Sequence, residues 1–375
     1  MIPMFAAAVM ILFITLLYSV IMVVLSGGLK RLDTVTEPCP ARPIPVTVVI
    51  PFRDEQEHLS SLVHDLAAQQ YPEEKLEVLF VDDHSGDGSR EKLQQLLEGR
   101  SGFRYLELPE GRKGKKDALL TAIQQATASW IIQTDADCRL GPRFVASHVA
   151  YLEQYPSDMV AGLVTIQHGK GGFLETFERL DTLSLVAAGA GSCYYQRPMM
   201  CSGANLGYSR KLYFETRRFD PSETVASGDD MFLMIGARRL GKRLSFIAER
   251  EAMVETPALS ALRPLILQRI RWGSKTSHYR MADIQLLAVV VAVTNLLILT
   301  TPVWLIWFPS WWIYLLPALV VKSLADFLLL HAVTGVTGQR KALRLFIPAA
   351  LFYYFYHLAI LTGALFSGSG WKGRR

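Results

Sequence analysis

The sequence predicts an α/β domain on a mostly parallel sheet, set between apolar segments long enough to cross a membrane. Three observations carry this. Short β-branched runs alternate with helical patterns from Pro45 onward. Carboxylates gather where those runs end. Residues Ile2 to Leu25 hold no charge, and three further apolar blocks lie beyond residue 283.

Taken in order, the uncharged run near the N-terminus is expected to be a membrane helix within 1–28. No Lys or Arg precedes it, which disfavours a cleaved signal peptide, while Lys30 and Arg31 come directly after it. Those cations place the N-terminus outside and the domain beyond the helix inside. In the domain from 45 to 280, strands are expected at Val46–Pro51, Leu76–Val81, Phe103–Leu108 and Trp130–Gln133. Helical spacing marks Glu55–Gln70, Ser89–Leu97 and Lys116–Ala128. Beyond it, 284–367 holds about three spans: Ile284–Trp307, Trp312–His331 and Leu345–Phe366. Trp304, Trp307, Trp311 and Trp312 cluster where two of them meet, as in an interfacial belt. With four spans the loop of Arg340, Lys341 and Arg344 is cytoplasmic, and the basic tail Lys372–Arg375 is outside, against the usual charge rule. Lys322 and Asp326 fall four residues apart inside a span, so they can pair and should face other spans rather than lipid.

Composition fits this reading. Half of the 375 residues are hydrophobic, and mean hydropathy is +0.22. The net charge of +5 suits loops facing anionic lipid. No nucleic-acid signature is present, and no nucleic-acid partner is expected. Cys39, Cys138, Cys193 and Cys201 form no C-x-x-C pair and lack a His at zinc spacing, so four reduced thiols in a cytoplasmic domain are expected.

The acids come in three groups. Asp82 and Asp83 end the run LEVLFV, in VDDHSGDGS. Asp87 or Ser89 can cap the next helix, but capping explains one acid rather than two before the turn. Asp135 and Asp137 come after WIIQT. In an extended segment they point the same way and suit Mg2+ or Mn2+ with a diphosphate; a turn pair without metal is the competing reading. Asp229 and Asp230 open a helical pattern, where they serve either the helix dipole or as a general base. The basic run Arg112–Lys116 before a helix suits a diphosphate, or is a solvated charge run. Ser202–Asn205 is a small-residue loop that admits a ligand close to its backbone, or a plain turn. Gln268, Arg271 and Trp272 share one helical face, among further basic residues that suit a helix lying on the membrane surface.

The succession VTVVIPFRDE, VDDHSGDGS, TDAD, SGDD and QRIRW resembles the family 2 glycosyltransferases with a GT-A fold. More narrowly, it resembles the membrane-integrated branch with cellulose, chitin, hyaluronan and poly-N-acetylglucosamine synthases and ceramide glucosyltransferase. The resemblance covers about 45–275 and the flanking spans. It implies an inverting, metal-dependent transfer from a nucleotide sugar, UDP by family analogy, to a lipid, lipid-linked or saccharide acceptor at the cytoplasmic membrane face.

It also implies roles. Pro51 and Glu55 belong to the nucleotide-binding first loop, Asp83 with Asp82 to the base or ribose, and Lys115 to the diphosphate or base. Asp135 and Asp137 form the D-x-D motif, Asp137 being the better metal ligand. Asp230 matches the T-E-D aspartate and is the candidate base, although a shift of one position makes it Asp229. Gln268, Arg271 and Trp272 match Q-x-x-R-W over the pyrophosphate and acceptor, and Gly203 and Asn205 fall on the acceptor side. The family's F-F-C-G-S/T string is here MMCSGAN. Two other readings stand beside this one: a processive polysaccharide synthase, and an inactive membrane adaptor of the same fold.

Overall fold

The computed structural model describes residues 2–37, 39–169, 171–219, 228–259 and 261–366. The tail Lys372–Arg375 lies outside them. In chain order the elements are α1 (Ile2–Leu29), β1 (Val46–Phe52), α2 (Gln56–Ala67), β2 (Leu76–Asp82), α3 (Ser89–Leu97), β3 (Phe103–Glu107), α4 (Lys115–Gln125), β4 (Trp130–Gln133), β5 (Arg139–Leu140) and α5 (Phe144–Gln154). Next come β6 (Met159–Gly162), β7 (Val164–Ile166), α6 (Phe173–Tyr194), β8 (Leu206–Ser209), α7 (Arg210–Thr216), α8 (Asp229–Arg239), β9 (Leu244–Ile247), β10 (Val254–Thr256) and α9 (Leu262–Gly273). The chain closes with α10 (Ala282–Trp307), α11 (Trp312–Val336) and α12 (Phe346–Phe366).

By packing, the chain forms two units. One holds the described residues of 32–169 and 193–258, the other those of 1–31, 170–192 and 259–369. α6 and α9 pack with the apolar helices.

The first unit is built on a seven-stranded sheet in the order β3-β2-β1-β4-β8-β6-β9. β1 to β4 are mutually parallel, as the alternation of strand and helix predicts, and β8 runs antiparallel to both its neighbours. Every residue of β1 is buried, because helices cover both faces of a parallel sheet. Leu59, Leu62, Val63 and Leu66 of α2 are buried as one helix face. After β1 the chain moves to β2 on one side, and β4 returns on the other. The carboxyl ends of β1 and β4 therefore form a topological switch point, where sheets of this kind bind ligands. A smaller sheet, β5-β10-β7, completes the unit.

In the second unit α1, α10, α11 and α12 supply four segments long and apolar enough to span a membrane: Ala8–Leu29, Ala282–Trp307, Pro309–Val336 and Arg340–Leu365. Lys322 is only 2 % exposed. Its Nζ lies 2.8 Å from Asp326 Oδ2, and Tyr18 donates to Asp326 Oδ1 at 2.6 Å. The pair thus faces other helices, as its spacing suggests. α6 crosses α1 closely: a side chain at Gly191 would collide with the Leu25 carbonyl.

Candidate active site

The loops after β1 and β2 are sewn together by side chains. Asp54, in the left-handed region at φ 53°, accepts the Gly86 N–H at 2.8 Å, and its own N–H donates to Ser85 Oγ at 2.9 Å. Asp87 accepts the Gln56 N–H at 3.0 Å. Ser89 Oγ accepts the N–H of Glu55, which precedes α2, at 2.9 Å. Pro51, buried in β1, pairs with Val81 beside the acidic strand end.

Asp82 and Asp83 divide their work. Asp82 Oδ1 accepts the Ser85 N–H and hydroxyl at 2.9 and 2.6 Å, and its Oδ2 accepts the Tyr105 hydroxyl at 3.2 Å. It holds the turn. Asp83 is 0 % exposed, and neither carboxylate oxygen has a hydrogen-bond partner among the described residues. A buried carboxylate without donors is costly, and the geometry leaves two acceptor atoms for a ligand's N–H or O–H.

Lys115 begins α4 just after Gly114. Of the basic run, Lys115 turns into the acids and pairs with Asp135. Lys116 instead lies over the Phe232 ring at 5.1 Å, and Arg112 and Lys113 are exposed. Burial opposes the Lys115 charge, but Asp135, Asp230 and Asp229 outweigh it and hold the ammonium above its usual range.

The D-x-D segment is a turn rather than the expected extended stretch, since the Cys138 N–H donates to the Asp135 carbonyl at 3.3 Å. Its carboxylates nonetheless interact. Burial, then Asp135 and Glu55, push Asp137 up to about 6, against the opposing pull of His58 and Lys115. Among the described residues no three His, Cys, Asp or Glu side chains form a ready metal cage. Two crowded hard-oxygen donors fit a divalent cation whose remaining ligands come from a diphosphate and water.

Asp230 sits in the first turn of α8, behind Gly228 at φ 100°. Its Oδ2 accepts the Gly203 N–H at 2.9 Å and its Oδ1 the Met231 N–H at 2.8 Å. Asp229 is the preceding residue, and Ser227 of the Ser-Gly-Asp-Asp string lies outside the described residues. A Cβ at Gly203 would stand 2.6 Å from Gln133 Nε2, 3.5 Å from Lys115 Nζ and 3.6 Å from Asp230 Oδ2. Lys115, Asp135, Gly203 and Asp230 thus share one place at the switch point.

Asn205, expected on the acceptor side, is not available there. It is 0 % exposed. Its Nδ2 donates to the Leu163 and Ala252 carbonyls at 2.8 and 2.7 Å, and its Oδ1 meets His148 Nε2 at 2.9 Å. It ties strands together. Gln133 is a site residue that the sequence pattern does not single out. It is 2 % exposed, its Oε1 accepts the Tyr208 hydroxyl at 3.1 Å, and its Nε2 has no hydrogen-bond partner among the described residues. An amide closing an otherwise apolar strand was the available signal. Gln268, Arg271 and Trp272 lie on α9 of the other unit; Gln268 and Arg271 are half-buried and Trp272 is 39 % exposed.

Residues 47–217 match the family described as Glycosyl transferase family 2. An N-acetylglucosaminyltransferase of Rhizobium meliloti is 27 % identical over 64 % of this chain and 58 % of its own length. Glycosyltransferase AglE of Haloferax volcanii is 28 % identical over 37 % of this chain and 45 % of its own. The chain therefore spans about half the length of these curated relatives. Among solved structures, the mannosyltransferase PcManGT from Pyrobaculum calidifontis, in complex with GDP-Man and Mn2+, superposes with a TM-score of 0.55. It is 18 % identical, and the match covers 97 % of each chain.

Proposed function

We propose that this chain, a glycosyltransferase with a family 2 GT-A domain, moves a sugar from a nucleotide-diphosphate donor to a lipid-linked or saccharide acceptor at the cytoplasmic membrane face. The observation that carries the proposal is the convergence of the Lys115–Asp135 pair with Asp230 around Gly203. A diphosphate cation and a carboxylate base are what such a transfer needs within one pocket.

In this reading Asp83 accepts N–H or O–H groups of the nucleoside. Lys115 takes the diphosphate and lets go of Asp135. Asp135 and Asp137 would hold a divalent cation such as Mg2+ or Mn2+, which would supply positive charge to offset the leaving diphosphate. Asp230 removes the acceptor hydroxyl proton as that oxygen attacks the anomeric carbon. The bond from that carbon to the diphosphate oxygen breaks on the opposite face, so configuration inverts. Gly203 and Met231 donate N–H groups that fix the Asp230 carboxylate. Gln268, Arg271 and Trp272 act on the pyrophosphate and the acceptor. Lys30, Arg31 and the Arg340–Arg344 loop support a cytoplasmic placement of the domain.

The naming of the Rhizobium meliloti relative makes UDP-N-acetylglucosamine the first donor to try, with other UDP- and GDP-sugars beside it. The experiment uses membranes holding the full chain, labelled donors and Mn2+, with Asp230→Asn as control. Organic-extractable label absent from the control supports a lipid acceptor. Large glycosidase-sensitive label supports a processive synthase. Absence of donor-dependent product from every sugar overturns the proposal in favour of an inactive adaptor.

A further inference from the structure

Between Gln268 and Trp272 the motif helix carries a buried cation that the motif does not specify. Arg269 is 6 % exposed. Its Nε donates to Asp181 Oδ2 of α6 at 2.7 Å, and one terminal nitrogen donates to Thr182 Oγ1 at 2.9 Å. The other donates to Gln268 Oε1 at 2.7 Å. The guanidinium carbon stands 4.2 Å from the Trp272 ring centroid, over its face. Asp181 is itself steadied by the Tyr356 hydroxyl of α12 at 3.3 Å. All of these residues belong to one packing unit.

Arg269 thereby sets two motif side chains at once. The bond that the Gln268 carbonyl oxygen accepts from Arg269 fixes which way the amide faces, with its NH2 on the side away from that oxygen. An amide NH2 held in a fixed direction donates to an oxygen acceptor, such as a phosphoryl or hydroxyl oxygen. Trp272 is pinned against the Arg269 guanidinium and is 39 % exposed, and an indole held in a fixed plane is suited to stacking on an incoming ring.

We propose that Arg269 is a positioning residue: anchored by Asp181 and Thr182, it fixes the Gln268 amide and holds Trp272 flat for substrate. The proposal rests on the role given to the motif helix under the proposed function. Lysine at this position keeps the charge toward Asp181 but cannot reach Gln268 and Thr182 together or lie flat on an indole.

The test uses the full chain in detergent micelles. Trp272 emission is isolated as the difference from Trp272→Phe, and its acrylamide quenching is compared in wild type and Arg269→Lys. Transfer kinetics are measured for wild type, Arg269→Lys, Gln268→Ala and the double variant. Arg269→Lys is expected to raise Trp272 quenching and to lower kcat by about tenfold or more. In the Gln268→Ala background the same change should cost measurably less, because one of the two side chains it acts through is gone. Unaltered quenching, or an undiminished loss in the double variant, overturns the proposal. Should Arg269→Lys not fold, Thr182→Val, which deletes a single anchor, is read by the same quenching. If the wild type transfers no sugar, the functional reading fails, while the quenching still decides the role of Arg269.

Discussion

Replacing Gly203 by alanine tests whether the loop holds Asp230. The position needs no positive φ, so the alanine backbone is permitted. The obstacle is the methyl group, which would stand 2.6 Å from Gln133 Nε2. Gln133 is buried and tied to Tyr208, so it does not swing aside. Reaching ordinary contact at 3.4 Å moves the loop by about 0.8 Å. That stretches the 2.9 Å bond from the Gly203 N–H to Asp230 beyond hydrogen-bonding range. A hydrogen bond to a charged group contributes about 1.5–3 kcal/mol. Felt at the reacting carboxylate, its loss lowers kcat by about 10- to 150-fold. The assay is initial-rate transfer at saturating donor. Adding Gln133→Ser to the alanine variant makes room and should recover most of the lost rate. A kcat within about twofold of wild type, or no recovery in the double variant, would refute the reasoning.

The same geometry sets three further outcomes. Asp83→Asn should raise the donor KM by about tenfold or more while increasing Tm, because it removes an uncompensated buried charge; nucleotide titration and thermal unfolding check the two effects, and a lowered Tm would count against an orphan carboxylate. His148 is fully buried, and burial lowers it from 6.5 to about 4 despite its bond to Asn205. The unfolded chain then takes the proton first, so stability is full above about pH 6.5 and falls by about 3 kcal/mol as pH drops toward 4. Denaturation at several pH values should show a shallower slope in His148→Gln, and equal slopes would contradict this. Lys322→Met leaves Asp326 unpaired among the helices and should cost about 3 kcal/mol or more, with Lys322→Met/Asp326→Leu recovering most of it; detergent unfolding midpoints decide.

The parallel half of the sheet was legible because β1, β2 and β4 are apolar runs bounded by turn residues, and their ends carry the acids. The four spans were legible by length and lack of charge. The strands β6, β8 and β9 were not, since four residues such as Leu206–Ser209 hold too little pattern to mark a strand. The site divides similarly. That carboxylates close the strands is plain in the sequence. That Asp82 is spent on Ser85 and Tyr105 while Asp83 is unpartnered depends on the loop's folded path. Asn205 looked like a ligand residue because its three partners, Leu163, His148 and Ala252, lie more than forty residues from it. Arg269 looked like one cation among many, since its anchor Asp181 is 88 residues away.

The placement of α6 also orders events on the ribosome. This 22-residue helix separates β7 from β8, yet β8 is the strand that bridges β4 and β6. Until residues 206–209 have been synthesised, β4 keeps an open edge and β6 has neither of its neighbours in the sheet. Throughout that interval α6 is already available to α1, whose Leu25 carbonyl it meets at Gly191. Translation thus supplies a partner for the membrane helix before it supplies the strand that joins β4 to β6, so the two units mature interleaved rather than one after the other.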